Sequence, residues 1–120
     1  MMGRVEGKVA IVTGGGSVGM GRVTSLLLAS EGAKVVVGDI NEAGAKETAE
    51  QINAAGGEAV ALRHDVASEE GWAEIIKLAL DTYGRLDILD NNAAMFIAKP
   101  LMETTTQEFR RQNQVNVDGV

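Results

Sequence analysis

The sequence predicts an α/β fold built on a parallel sheet, on three observations. Short apolar runs alternate with helical patterns along the chain. The first run, Val9-Ala10-Ile11-Val12, leads straight into a glycine cluster, Thr13-Gly14-Gly15-Gly16-Ser17-Val18-Gly19-Met20-Gly21. A second run, Lys34-Val35-Val36-Val37-Gly38, closes on an acid, Asp39. Strand, glycine turn and helix in that order gather unpaired backbone N–H groups and the positive end of a helix dipole, which suits a phosphate. Glycine lets an anion approach that backbone and permits positive φ. Asp39 lies 18 residues past Gly21, where an acid accepts hydrogen bonds from an adenosine ribose.

The elements follow in order. Strand 1 is expected over Lys8–Thr13 and helix 1 over Met20–Glu31, stopped by Gly32. Strand 2 is Lys34–Asp39. Asn41 caps helix 2, Glu42–Ala55, which ends at Gly56-Gly57. Strand 3 is Glu58–His64. Ser68 caps helix 3, with Glu69 and Glu70 in the first turn where the dipole favours acids. That helix shows Trp72, Ile75, Ile76 and Ala79 at helical spacing and ends near Gly84. Strand 4 is Leu86–Asp90, and a loop runs from Asn91 to Glu103 past Pro100. Thr105 and Glu108 form a capping box for helix 4, which runs toward Val120. Asp90 is out of place in a strand covered on both faces, which should be apolar throughout. With no strand after helix 4, strand 4 is expected as an open edge, an aggregation liability.

Composition narrows the function. One hundred and twenty residues imply a single domain, residues 1–120, with no second one. No apolar stretch approaches the ~18 residues of a membrane span, and Met1 to Gly7 holds no apolar signal region. The net charge of −6 argues against a nucleic-acid partner. The absence of cysteine excludes disulfides and thiolate metal sites and fits a reducing, cytoplasmic setting. No metal site is expected, since the one histidine, His64, reads as a strand residue. Trp72 reads as core.

Thr13-Gly14 with the spaced glycines, Asp39, Asp65-Val66, Asn91-Asn92-Ala93-Ala94 and Val115-Asn116-Val117-Asp118-Gly119 occur in the order found in short-chain dehydrogenases/reductases. The chain resembles the first half of a single-domain member. The resemblance implies a Rossmann-like doubly wound sheet of strand order 3-2-1-4, cut short after the fourth helix. It implies that Gly14, Ser17, Gly19, Met20 and Gly21 cradle a pyrophosphate. Asp39 then holds the adenosine ribose and repels a 2′-phosphate, which favours NAD over NADP. Ile40 lines the adenine, Asp65 meets its amino group with Val66 beside it, and Asn91 and Ala93 meet the nicotinamide-side ribose. Asn116 matches an active-site asparagine that helps hold a proton-relay water. A homo-oligomer acting on a small alcohol or ketone is implied for the complete protein. Three departures stand out. Four residues, Gly15 to Val18, separate Gly14 from Gly19 where the family has three. Asp90 replaces an apolar residue, and Ala94 replaces a glycine; a positive φ there would strain alanine.

The family's catalytic serine, tyrosine and lysine have no counterparts in these 120 residues. Tyr83, the single tyrosine, is followed by Gly84-Arg85-Leu86-Asp87 with no lysine four residues on. The expectation is therefore an NAD-dependent oxidoreductase at family level whose 120 residues alone are inactive. The alternatives are a module that binds NAD or adenosine without catalysis, or a fragment with no function of its own. Each site residue also has a plainer reading. The glycine turn serves as a connection, Asp39 as a cap for helix 2, Asp65 as a turn acid, Asn91-Asn92 as ties between strands, and Asn116 as a polar helix position.

Overall fold

The computed structural model describes residues 3–120. Four parallel strands form one sheet, as the alternating pattern predicts, in the order β3-β2-β1-β4 that the resemblance implies. The strands are β1 (Val9–Thr13), β2 (Lys34–Asp39), β3 (Glu58–Arg63) and β4 (Ile88–Asp90). The helices are α1 (Met20–Ser30), α2 (Glu42–Ala54), α3 (Glu69–Tyr83) and α4 (Thr106–Asn113). Val9 pairs with Lys34 and Thr13 with Gly38, so β1 and β2 end side by side. Asp39 pairs with Arg63 in the next ladder.

The apolar runs of β1 and β2 are buried because helices cover both faces. Their side chains alternate between the layers. Val12, Val35 and Val37 pack with Ala45, Ala49 and Ile52 of α2 and with Leu26 and Ala29 of α1. Val9, Ile11 and Val36 pack with Ile75 and Ala79 of α3. Right-handed crossovers put the first two helices on one face and the third on the other. All the strand ends that follow a crossover strand therefore open on one rim.

The caps form where the sequence places them. The Gly44 amide donates to the Asn41 side chain at 3.1 Å and the Gly71 amide to Ser68 at 3.0 Å. Thr105 and Glu108 form the reciprocal capping box. Gly84 takes a left-handed conformation, φ 78°, and closes α3. Boundaries move by a residue at several ends; Lys8, Glu31, Ala55 and His64 fall outside their elements.

β4 is shorter than the expected Leu86–Asp90. The Asp87 carboxylate takes the Val9 amide at 2.9 Å, while its two oxygens also bind Arg85 at 2.8 and 2.7 Å. This anchor occupies the strand's start, and the ladder begins at Ile88. Asp90 is half-buried at the other end, with its carbonyl accepting from Thr13 Oγ1 at 3.2 Å. Among the described residues β4 pairs on one side only, and Leu89 is exposed. The fourth helix widens into a π turn over Gln114–Asp118, which the sequence did not disclose. Ala94 carries no strain, because no described non-glycine residue has a positive φ.

Candidate functional site: a cavity at the carboxyl rim of the sheet

The carboxyl ends of β1, β2 and β3 open into a cavity of about 570 Å³, within the usual range for small-molecule sites. Seven of the residues singled out from sequence line it: Gly14, Ser17, Asp39, Ile40, Asp65, Val66 and Ala93. A doubly wound sheet binds ligands at this rim, where the crossovers diverge.

The first half of the glycine turn is tied down. The Gly15 amide donates to the Gly38 carbonyl at 3.2 Å, and the Gly15 carbonyl accepts from Thr48 Oγ1 at 2.6 Å. The Gly16 amide donates to Asp39 Oδ2 at 2.9 Å, and the Gly16 carbonyl accepts from Arg22 Nη2 at 3.1 Å. Arg22 is buried. It also donates through Nε to Thr48 and through Nη2 to the Gly44 carbonyl, at 2.9 and 3.2 Å. Its remaining charge faces Glu47 at 3.5 Å. A Cβ on Gly16 would stand 2.8 Å from the Ala45 nitrogen and the Asp39 side chain, so the turn is packed as well as bonded.

From Ser17 onward the turn is open. Ser17, Val18, Gly19 and Met20 are exposed. Gly19 is the residue before the helix, has extended backbone (φ 172°), and gives α1 no side-chain cap. The first intrahelical donor is Val23, to the Gly19 carbonyl. Among the described residues, no acceptor takes the amides of Ser17, Val18, Met20, Gly21 or Arg22. α1 also has no acid in its first turn. Unpaired amides with no competing carboxylate fit an anionic diphosphate.

Asp39 closes β2 with its carboxylate turned to the turn. Oδ2 takes the Gly16 amide and Oδ1 the Asn41 amide, each at 2.9 Å. Each oxygen keeps a second lone pair free to accept a further hydrogen bond. Asp65 follows β3 and takes the Ala67 amide at 2.9 Å and Arg111 Nη2 at 3.2 Å. That amide and the Arg111 guanidinium hold its carboxyl below its usual range. His64 stands under the rim against Trp72, ring to ring at 4.7 Å and near-perpendicular. Both its nitrogens are buried without a hydrogen-bond partner, and burial pulls its pKa below the ordinary 6.5.

The predicted residues do not all meet. Gly19 and Met20 lie at the mouth of α1 outside the cavity lining. Gly21 is buried beneath, where a Cβ would collide with the Gly14 carbonyl and the Asn92 amide. Asn91 is exposed, and Asn92 takes its place in the wall. The Asn92 side chain donates to the Thr13 and Gly14 carbonyls at 3.0 and 3.1 Å, and Thr13 Oγ1 accepts the amides of Asn92 and Ala93 at 3.1 and 3.0 Å. Gly14, at φ 68°, allows this approach, since a Cβ there would stand 2.8 Å from the Ala93 Cα. Asn116 is outside the lining. Its Oδ1 accepts the Met95 amide and its Nδ2 donates to the Met95 carbonyl, both at 2.8 Å. It fastens the loop after β4 to the π turn. Tyr83, at the end of α3, is no part of the cavity, and burial raises its pKa.

Sequence reasoning missed Arg22, Thr48 and Arg111, whereas the reading of Asn91-Asn92 as ties between strands holds at Asn92. Only Arg22 carried a local signal, a cation directly after the turn it clamps.

The short chain dehydrogenase family pattern matches residues 8–120. The chain is 42% identical over 114 residues to an uncharacterized oxidoreductase of Thermotoga maritima, covering 95% of this chain and 44% of the relative. It is 40% identical to a cyclopentanol dehydrogenase of Comamonas, covering 99% of this chain and 47% of the relative. It is 36% identical to an NADP-dependent (R)-specific alcohol dehydrogenase of Lentilactobacillus kefiri, covering 100% of this chain and 47% of the relative. The chain thus spans a little under half the length of these relatives. With the family pattern running from the first strand to the last residue on a 3-2-1-4 sheet, this chain belongs to the short-chain dehydrogenase family.

Proposed function

We propose that these residues form the dinucleotide-binding part of an NAD-dependent oxidoreductase acting on a small alcohol or ketone. One observation carries the reading: Ser17, where the unpaired amides leading into α1 begin, borders one cavity together with the carboxylates of Asp39 at the end of β2 and Asp65 in the turn after β3. The amides from Ser17 to Arg22 hold the diphosphate. Asp39 accepts the ribose hydroxyls, Ile40 and Val66 flank the adenine, and Asp65 takes its amino group. Asn92 and Ala93 border the nicotinamide-side ribose, with Gly14 behind them. A nicotinamide held there would accept or donate hydride at its ring carbon. The family includes an NADP-dependent alcohol dehydrogenase among this chain's relatives, so membership alone does not choose the cofactor. Asp39 favours NAD, because a buried carboxylate repels a 2′-phosphate.

Asn116 serves in this reading as a positioning residue through its grip on the Met95 backbone. The one tyrosine is remote from the cavity, and no serine or lysine lines it apart from Ser17. These residues therefore bind cofactor without a group to polarise a carbonyl or move its proton, a contribution of ~10²–10⁴-fold from the acid–base alone. The substrate site, the homo-oligomer and the cytoplasmic setting belong to the same proposal for the complete protein.

Calorimetric titration of the chain with NAD and with NADP tests the reading. It predicts binding of NAD, weaker binding of NADP, and no NADH formed from secondary alcohols. No heat and no thermal shift at millimolar NAD would overturn it.

A further inference from the structure

The adenine end of the cavity carries an ion pair that the reading above leaves without a role. Asp65 stands in the turn between β3 and α3, and Arg111 in the second turn of α4. Both line the cavity, although 46 residues separate them in sequence. Arg111 Nη2 reaches Asp65 Oδ2 at 3.2 Å, and the Ala67 amide reaches Oδ1 at 2.9 Å. One donor on each oxygen fixes the plane of the carboxylate and leaves each oxygen a lone pair. The Arg111 side chain is 40% exposed and the Asp65 side chain 27%, so the pair lies at the cavity wall and not in the core.

A fixed, ionised carboxylate only accepts hydrogen bonds. It rewards a purine edge that presents an amino group and opposes one that presents a carbonyl at the same place. Adenine and hypoxanthine differ at that group and at the neighbouring N1, which is a bare acceptor in adenine and carries a proton in hypoxanthine, so the discrimination lies where the carboxylate meets the 6-substituent itself. We propose that Arg111 is a positioning residue for base selection: by clamping Asp65 across the adenine end, it makes the cavity prefer an amino-bearing purine nucleotide over its carbonyl-bearing counterpart. The inference rests on the cofactor reading and names what that reading omits, the side chain that makes Asp65 selective. Without Arg111 the carboxylate keeps one backbone donor, is free to turn about its χ2, and protonates more readily; a protonated carboxyl donates as well as accepts.

The test is calorimetric titration of the 120-residue chain with AMP and with IMP, for the unaltered protein, Arg111→Met, Arg111→Lys and Asp65→Asn. A hydrogen bond to a charged group predicts an AMP preference of about ten-fold or more in the unaltered protein. Arg111→Met should reduce that ratio to about three-fold or less with an unchanged circular-dichroism spectrum. Arg111→Lys should restore most of it, and Asp65→Asn should abolish it, since an amide donates to either edge. If Arg111→Met weakens AMP and IMP equally, or leaves both unchanged, while Asp65→Asn loses the preference, the clamp is overturned and the adenine assignment stands. If the unaltered chain binds neither nucleotide, or Asp65→Asn keeps the preference, the assignment falls and the clamp with it.

Discussion

Gly15 and Gly16 have every backbone polar group engaged, whereas among the described residues no acceptor takes the amides from Ser17 to Arg22. The two halves of one glycine turn are thus built for opposite tasks. The first is scaffold: Asp39, Arg22 and Thr48 hold it from three sides. The second, from Ser17 to Met20, is exposed, and its amides are the ones proposed to hold the diphosphate. The locked half keeps the Gly14–Gly16 path fixed against β2 and α2, while Val18 in the open half is 93% exposed.

Breaking the locked half should cost the most. Arg22→Met strips a buried donor from Thr48 and from the carbonyls of Gly16 and Gly44. Leaving such acceptors unpaired costs roughly 1–3 kcal/mol each, and we expect a total loss of about 3 kcal/mol in urea unfolding. Gly16→Ala comes next. Its Cβ meets Asp39 and the α2 backbone at 2.8 Å, and overpacking of this kind costs about 2 kcal/mol. Either variant retaining full stability would break the contrast.

A pH titration probes the same half from below. Gly38, which receives the Gly15 amide, packs on His64, whose Cβ lies 3.0 Å from where a Gly38 Cβ would be. Burial lowers the His64 pKa from 6.5, against the opposing pull of the Gly71 backbone and the Asp65 and Glu74 charges. The unfolded chain therefore binds more protons than the folded one as pH falls below 6.5. Stability should be full above that value and decline below it, through the lowered folded pKa. Asp65, whose folded pKa is lowered from 3.8, adds its own loss only near and below that pH. His64→Phe should flatten the decline between pH 6.5 and 5; an unchanged slope would exclude His64 as its source.

The smallest effect on stability belongs to the open half. A Cβ on Gly19 meets nothing within 4 Å, and its extended φ suits any residue. Gly19→Ala should change unfolding by less than about 0.5 kcal/mol, yet lower NAD affinity by crowding the amides. Stability lost with affinity untouched would reverse the assignment of the two halves.

How much of this was legible in sequence depends on distance along the chain. The valine runs fix which strands are covered on both faces, and each cap needs only residues three apart, as in Ser68 and Gly71. Alternating strands and helices with right-handed crossovers then bring Gly14, Asp39 and Asp65 to one rim. What stayed hidden is carried by long-range pairs of ordinary polar residues. Thr48 looks like any helix position until α2 folds against Gly15, and Arg111 until α4 crosses to Asp65. The π turn was hidden for a related reason, because the Asn116 grip on Met95 spans 21 residues. Asn91 and Asn92 are alike in composition; only the direction of the chain leaving β4 sends the second into the wall.

The most direct test follows backbone amides by ¹⁵N-resolved NMR while ADP, the shared diphosphate portion, is added. Ser17 to Arg22 should shift strongly and saturably, with Gly15 and Gly16 nearly still. Movement of Gly15 and Gly16 with silence from Ser17 to Arg22 would contradict the account.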